Sequence, residues 1–129
     1  GWTDAVVMNM LTGLAVGVQL SEFLTSSYQP FADAIRAVAP VENRHTALAI
    51  EGVERLIAQG NADAIAASVS YWWPRVEDSF GKGGSDRFAA LQAMGLRSKS
   101  NAALQNDWRE SAASELQKLG LNPPALTTP

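Results

Sequence analysis

The chain has 129 residues, 47% hydrophobic and 18% charged, which suits one globular domain around one core and excludes a disordered or collagen-like chain. It contains no cysteine, so a disulfide scaffold, a thiolate-ligated zinc or iron–sulfur site and thiol catalysis are excluded, leaving His and carboxylates as metal ligands. Ten basic against thirteen acidic residues give a net charge of −3, which argues against a protein that grips nucleic acid by its phosphates.

Thr3 is a candidate helix cap with Asp4 in the first turn, and apolar residues occupy nearly every face from Ala5 to Leu20. This stretch is shorter than the ~20 residues of a membrane span and contains Asn9, Thr12 and Gln19. It has neither the basic start nor the cleavage pattern of a signal peptide. It therefore reads as a buried helix, roughly Asp4 to Ser26, with no membrane partner, and the cytoplasm is the expected location. Gly13 and Gly17, four residues apart, mark a face where a neighbouring helix approaches closely. The chain opens on Gly1 rather than Met and enters a hydrophobic helix at once, so it is expected to be a piece of something longer.

Ser26, Ser27 and Tyr28 break the first helix, and Pro30 fits the first turn of a second that runs to Gln59 with a kink at Pro40. The connection is too short to do anything but return the chain alongside itself, so the two helices are expected to pack antiparallel. Gly60 closes the second helix and Asn61 caps a third through Ile65, Val69, Trp72 and Trp73, with another kink at Pro74. Trp72 and Trp73 read as core or interface anchors. The Gly81 to Ser85 loop lacks the spacing of a phosphate-binding loop. Ser85 caps a short helix ended by Gly95, and Ser100 caps the last helix, ended by Gly120. No segment alternates like a strand, so the fold class is all-α, a helical bundle in a single domain over residues 1–129.

His45 is the only histidine, and Glu42 stands three residues before it on the same helix face. Glu-x-x-His is half of a bundle di-iron site, in which a carboxylate and an imidazole project side by side and other helices complete the shell. A solvated or hydrogen-bonded His45 is the alternative. Lys82, Arg87, Arg97 and Lys99 concentrate positive charge near the fourth helix, which suits the phosphates of an anionic ligand, an acidic partner, or an ordinary solvated loop. No Ser/His/Asp triad is recognisable around His45.

Five blocks in register, Ser26-Ser-Tyr-Gln-Pro30, Glu42-x-x-His45, Trp72-Trp-Pro74 with Phe80-Gly81, Leu96-Arg-Ser-Lys-Ser-Asn101 and Leu119-Gly-Leu-Asn-Pro123, cover essentially the whole chain. Together they resemble the C-terminal half of the ferritin-like catalytic subunit family of the phenylacetyl-coenzyme A ring epoxidase, of phenylacetate degradation. The resemblance implies a ferritin-like bundle, a di-iron monooxygenase centre, a coenzyme A thioester substrate, a separate reductase and a partner subunit of similar fold.

Carried over by position, Glu42 and His45 fall on a metal-binding Glu-x-x-His of that family. The charge pattern, not the resemblance, makes Lys82, Arg97 and Lys99 the candidate substrate-binding cations. Two departures bear on activity. Gly13 stands where the resemblance implies a further carboxylate ligand, and the N-terminal helix pair that carries the other half of the site is expected to be missing. Val41, where the family often has a second acid, and Pro40 point the same way.

Two functions follow: part of a di-iron oxygenase subunit, or a non-catalytic ferritin-like module with a decayed iron site. The chain by itself is expected to be free of stoichiometric iron. It is also expected to associate with a second copy or a partner subunit, because its first helix is apolar all round. Glu22, on the helix that holds Gly13, is the first alternative ligand.

Overall fold

The computed structural model describes residues 1–81 and 86–124. Among them are five helices and no strand: α1 (Trp2–Phe23), α2 (Gln29–Ala58), α3 (Ala62–Asp78), α4 (Asp86–Ala93) and α5 (Asn101–Lys118). The fold is all-α and compatible with a ferritin-like helical bundle. The predicted helices differ from those observed by only a few residues at their ends.

Two details of the ends differ from expectation. The first helix begins at Trp2 behind Gly1, so Thr3 lies inside the first turn and caps nothing. Asn61 precedes α3 without a side-chain capping bond, whereas Ser100 does cap α5 by accepting a hydrogen bond from the Ala103 N–H at 3.1 Å. The Ser85 cap falls outside the described residues. Both internal prolines are accommodated within continuous helices, Pro40 in α2 and Pro74 in α3. Gly60, Gly95 and Gly120 take positive φ just beyond three helix ends, where a side chain would be strained.

Helix α1 is the axis of the fold, with α2, α3 and α5 packed around it. Its core face carries Val6, Val7, Met10, Leu11 and Ala15. Against these pack Val53 of α2, Ile65, Val69, Trp73 and Val76 of α3, and Leu104, Trp108, Ala112 and Leu116 of α5. Trp108 is fully buried, and its indole N–H donates to the Leu11 carbonyl of α1 at 3.0 Å, so the largest side chain of the core is also satisfied as a donor. Trp73 lies against it with ring centroids 4.6 Å apart. Trp73 is thus a core residue, while Trp72 is half-buried and meets Tyr71 edge to face.

Side-chain pairings fix the direction of the two long helices. Val6 faces Gly52, Gly13 faces Thr46 and Gly17 faces Asn43, so numbering rises on α1 as it falls on α2, and the pair is antiparallel as expected.

At 22 residues, α1 is longer than the Ala5 to Leu20 stretch and reaches the length and composition of a membrane-crossing helix. Here it packs against three helices and carries the buried acid Glu22 near its end. The other helices cover only part of it: Trp2, Asn9 and Thr12 are exposed.

Candidate functional site

Glu42 and His45 sit one turn apart on α2 and line the same groove, as their spacing requires. The groove holds about 460 Å³ between α1 and α2. Its α1 wall is built from Trp2, Val6, Asn9, Thr12, Gly13 and Val16, and its α2 wall adds Thr46, Leu48 and Ala49. Glu42 is half-buried there and His45 is exposed at the edge. The spacing of Glu42 and His45 could be read from the sequence. Asn9, Thr12 and Thr46 complete the polar lining, and only the pairing of α1 with α2 brings them there.

At Gly13 the two helices come into direct contact. A Cβ built on it overlaps Thr46 Oγ1 and stands 3.2 Å from Thr46 Cβ, so the backbone of α1 lies directly against that side chain. The Thr46 hydroxyl is in turn held by donating to the Glu42 carbonyl at 3.0 Å, one turn earlier on its own helix. Gly17 is different. Its nearest neighbour on that side is Asn43 Oδ1 at 3.9 Å, so only the first of the two glycines marks a close approach.

Carboxylate plus imidazole is the right chemistry for iron, but two donors on one helix leave most of a coordination shell unfilled. Among the described residues no group of three or more His, Cys, Asp or Glu side chains comes together. The α1 position opposite is a glycine pressed on a threonine, with no room for a side chain of any kind unless Thr46 moves. Among the described residues, Glu42 and His45 therefore supply only part of the donor set of a di-iron centre.

Glu22 is not a substitute ligand. It is 3% exposed at the other end of α1, and its carboxylate accepts from the Ser98 N–H at 2.6 Å, the Lys99 N–H at 3.0 Å and the Ser98 hydroxyl at 3.1 Å. Burial alone would raise its pKa. The hydrogen bonds from Lys99 and Ser98 and the nearby Arg97 charge outweigh that, and the carboxyl is held below its ordinary value. A sequence signal for this role exists. Glu22 is the first charge after Asp4 along α1 and stands at the helix end the macrodipole disfavours for an acid, so it needs donors from elsewhere.

The three candidate substrate cations fare differently. Lys82 lies outside the described residues. Arg97 donates through Nη2 to the Lys99 carbonyl at 3.2 Å and to Asn101 Oδ1 at 3.0 Å, and its guanidinium lies 5.6 Å from the Phe88 ring centre. Lys99 pairs with Asp107 at 2.5 Å, which raises its pKa. Arg97 and Lys99 thus come together on the turn that Glu22 holds. They do not line the groove of Glu42 and His45.

A family model described as phenylacetic acid catabolic protein matches residues 1–128, essentially the whole chain. No curated protein matches it. The chain belongs to the phenylacetic acid catabolic protein family, and its role lies in phenylacetate catabolism.

Proposed function

From membership of that family, we propose that the chain is a ferritin-like component of the oxygenase that epoxidises the ring of phenylacetyl-coenzyme A. In this reading it supplies bundle scaffold and assembly surface and is not a self-sufficient di-iron monooxygenase. The observation that carries the reading is the apposition of Gly13 and Thr46. Where the groove would need a third ligand across from Glu42 and His45, two helices touch instead. Its protein partners are a ferritin-like subunit of related fold and a reductase, its small-molecule partner is the coenzyme A thioester, and its location is the cytoplasm.

A second reading has its own support. Glu42 and His45 line the side of the α1–α2 pair that stays open, so helices docking there would meet both donors at once. The pair would then contribute one carboxylate and one imidazole to a di-iron site completed from outside these residues. Bound there, iron would supply oxygen activation.

Iron analysis and phenylacetyl-coenzyme A turnover with a reductase and partner subunit separate the two. The scaffold reading expects iron well below one equivalent per chain and turnover of the assembly that is insensitive to Glu42→Ala and His45→Ala. Stoichiometric iron and turnover, both lost in either variant, would replace it with the second reading.

A further inference from the structure

A second hollow lies at the far end of α1 from the groove of Glu42 and His45. It holds about 210 Å³ between the last turns of α1, the residues just beyond α3 and the start of α5. Gln19, Phe23, Phe80, Arg97, Asn101 and Leu104 line it. Phe80 and Leu104 are each 5% exposed and Phe23 is half-buried, so two aromatic rings and a leucine supply its apolar part. Gln19, Arg97 and Asn101, all half-buried, supply its polar part. Apolar walls with a few convergent polar groups suit a small organic ligand with one polar end.

The polar part carries one positive charge. Arg97 Nη2 donates to the Lys99 carbonyl and to Asn101 Oδ1, and both are neutral oxygens that leave the charge of the guanidinium standing. Arg97 Nε is buried without an acceptor among the described residues, a donor the fold leaves over. Glu22 lies within reach of the Arg97 charge, but its oxygens are taken by Ser98 and Lys99, and Lys99 is itself paired with Asp107. The same clamp fixes the two residues that follow Arg97, so the guanidinium is held in place before any ligand arrives.

We propose that this hollow binds a small aryl carboxylate, its ring against Phe23, Phe80 and Leu104 and its carboxylate on Arg97. A carboxylate meets the guanidinium fork with two oxygens, and a small turn of the side chain lets Nε take one of them. The ring follows from the walls, because aromatic side chains favour a flat aromatic guest through offset and edge-to-face contacts. Inorganic phosphate would leave the apolar walls wet. At ~30 Å³ per water the hollow holds about seven waters, room for a single ring with a short acid arm. It falls short of the ~300–1,000 Å³ of sites for larger ligands. It shares no residue with the groove of Glu42 and His45, so the proposal goes beyond the oxygenase reading and does not rest on it.

The test is isothermal titration calorimetry of the chain with benzoate and phenylacetate, with circular dichroism on every variant. One site with a dissociation constant of about 1 mM or tighter is expected, an affinity within reach of a ligand of about ten non-hydrogen atoms. Acetate has the charge without the ring and benzyl alcohol the ring without the charge, and each should bind at least about tenfold more weakly. Arg97→Gln should raise the dissociation constant for benzoate at least about tenfold. Gln19→Phe, which fills the hollow from a half-buried position, should abolish binding with helicity retained. His45→Ala should leave binding unchanged. In nuclear magnetic resonance of isotope-labelled chain, the Arg97 Nε–H resonance should move as benzoate is added.

No binding of either acid at about 20 mM, binding unmoved by both Arg97→Gln and Gln19→Phe, or acetate as tight as benzoate would overturn the proposal. So would inorganic phosphate that binds in an Arg97-dependent way where benzoate does not. Such a failure would leave the catabolic role standing, because that role rests on the family.

Discussion

Glu22 and Glu42 are two carboxylates on neighbouring antiparallel helices, and the fold treats them in opposite ways. Glu22 is buried and accepts four hydrogen bonds from the Ser98 and Lys99 turn, Ser98 Oγ reaching both carboxylate oxygens. Glu42 is half-buried beside an open groove, and the Thr46 hydroxyl bonds its backbone carbonyl rather than its carboxylate. The first carboxylate is structural, because its donors are inside the chain. The second is left facing the groove, with no donor of this kind among the described residues. A buried acid depends on the donors around it, whereas a half-buried one can be satisfied by water.

The largest test of this contrast is to remove the structural carboxylate. Glu22→Ala strands the backbone donors of Ser98 and Lys99 in a buried place, and a loss of about 2–4 kcal/mol in urea denaturation is expected. Glu22→Gln should lose less, since one acceptor oxygen remains. A loss below about 0.5 kcal/mol for Glu22→Ala would erase the distinction between the two acids.

Next comes the point where the helices touch. Gly13→Leu drives a side chain into Thr46 and should cost about 1–3 kcal/mol or more by thermal denaturation. Gly17→Ala should be neutral, or stabilising by up to about 1 kcal/mol through helix propensity, because only Asn43 Oδ1 lies near. Pairing Gly13→Ala with Thr46→Ala should recover part of the Gly13→Ala loss. Equal costs at Gly13 and Gly17 would mean that the groove is not closed at Gly13.

Acid titration gives a smaller and more selective effect. The folded-state pKa of Glu22 is lower than its ordinary value of 4.5, so its contribution to stability is present above that value. It should be lost as pH falls from 4.5 through the lower folded-state value. The stability gap between the native chain and Glu22→Gln should therefore narrow over that acid window and stay constant at neutral pH. A gap that is flat throughout would show that the carboxylate charge is not what holds the turn.

The smallest effect is expected at the open groove. His45→Ala should change stability by no more than about 0.5 kcal/mol, since the ring is exposed and no core packing depends on it. A larger loss in urea denaturation would give His45 a structural role and weaken its availability to a partner.

Sequence patterning by itself determined the five helices, the breaks at Ser26 to Tyr28, Gly60, Gly95 and Gly120, and the antiparallel return of α2. Helical period, turn residues and a short connection are local properties that need no partner. It also placed Glu42 and His45 on one face, because residues three apart on a helix must share one.

The tertiary structure decided the rest. It turned Glu22 from a possible ligand into a loop clamp, committed Arg97 and Lys99 to the turn beside it, and separated Gly13, which is pressed on Thr46, from Gly17, which is not. The reason is that these roles depend on which residue of another helix stands opposite. That is fixed by the register of packed helices, and no spacing within a single helix contains it.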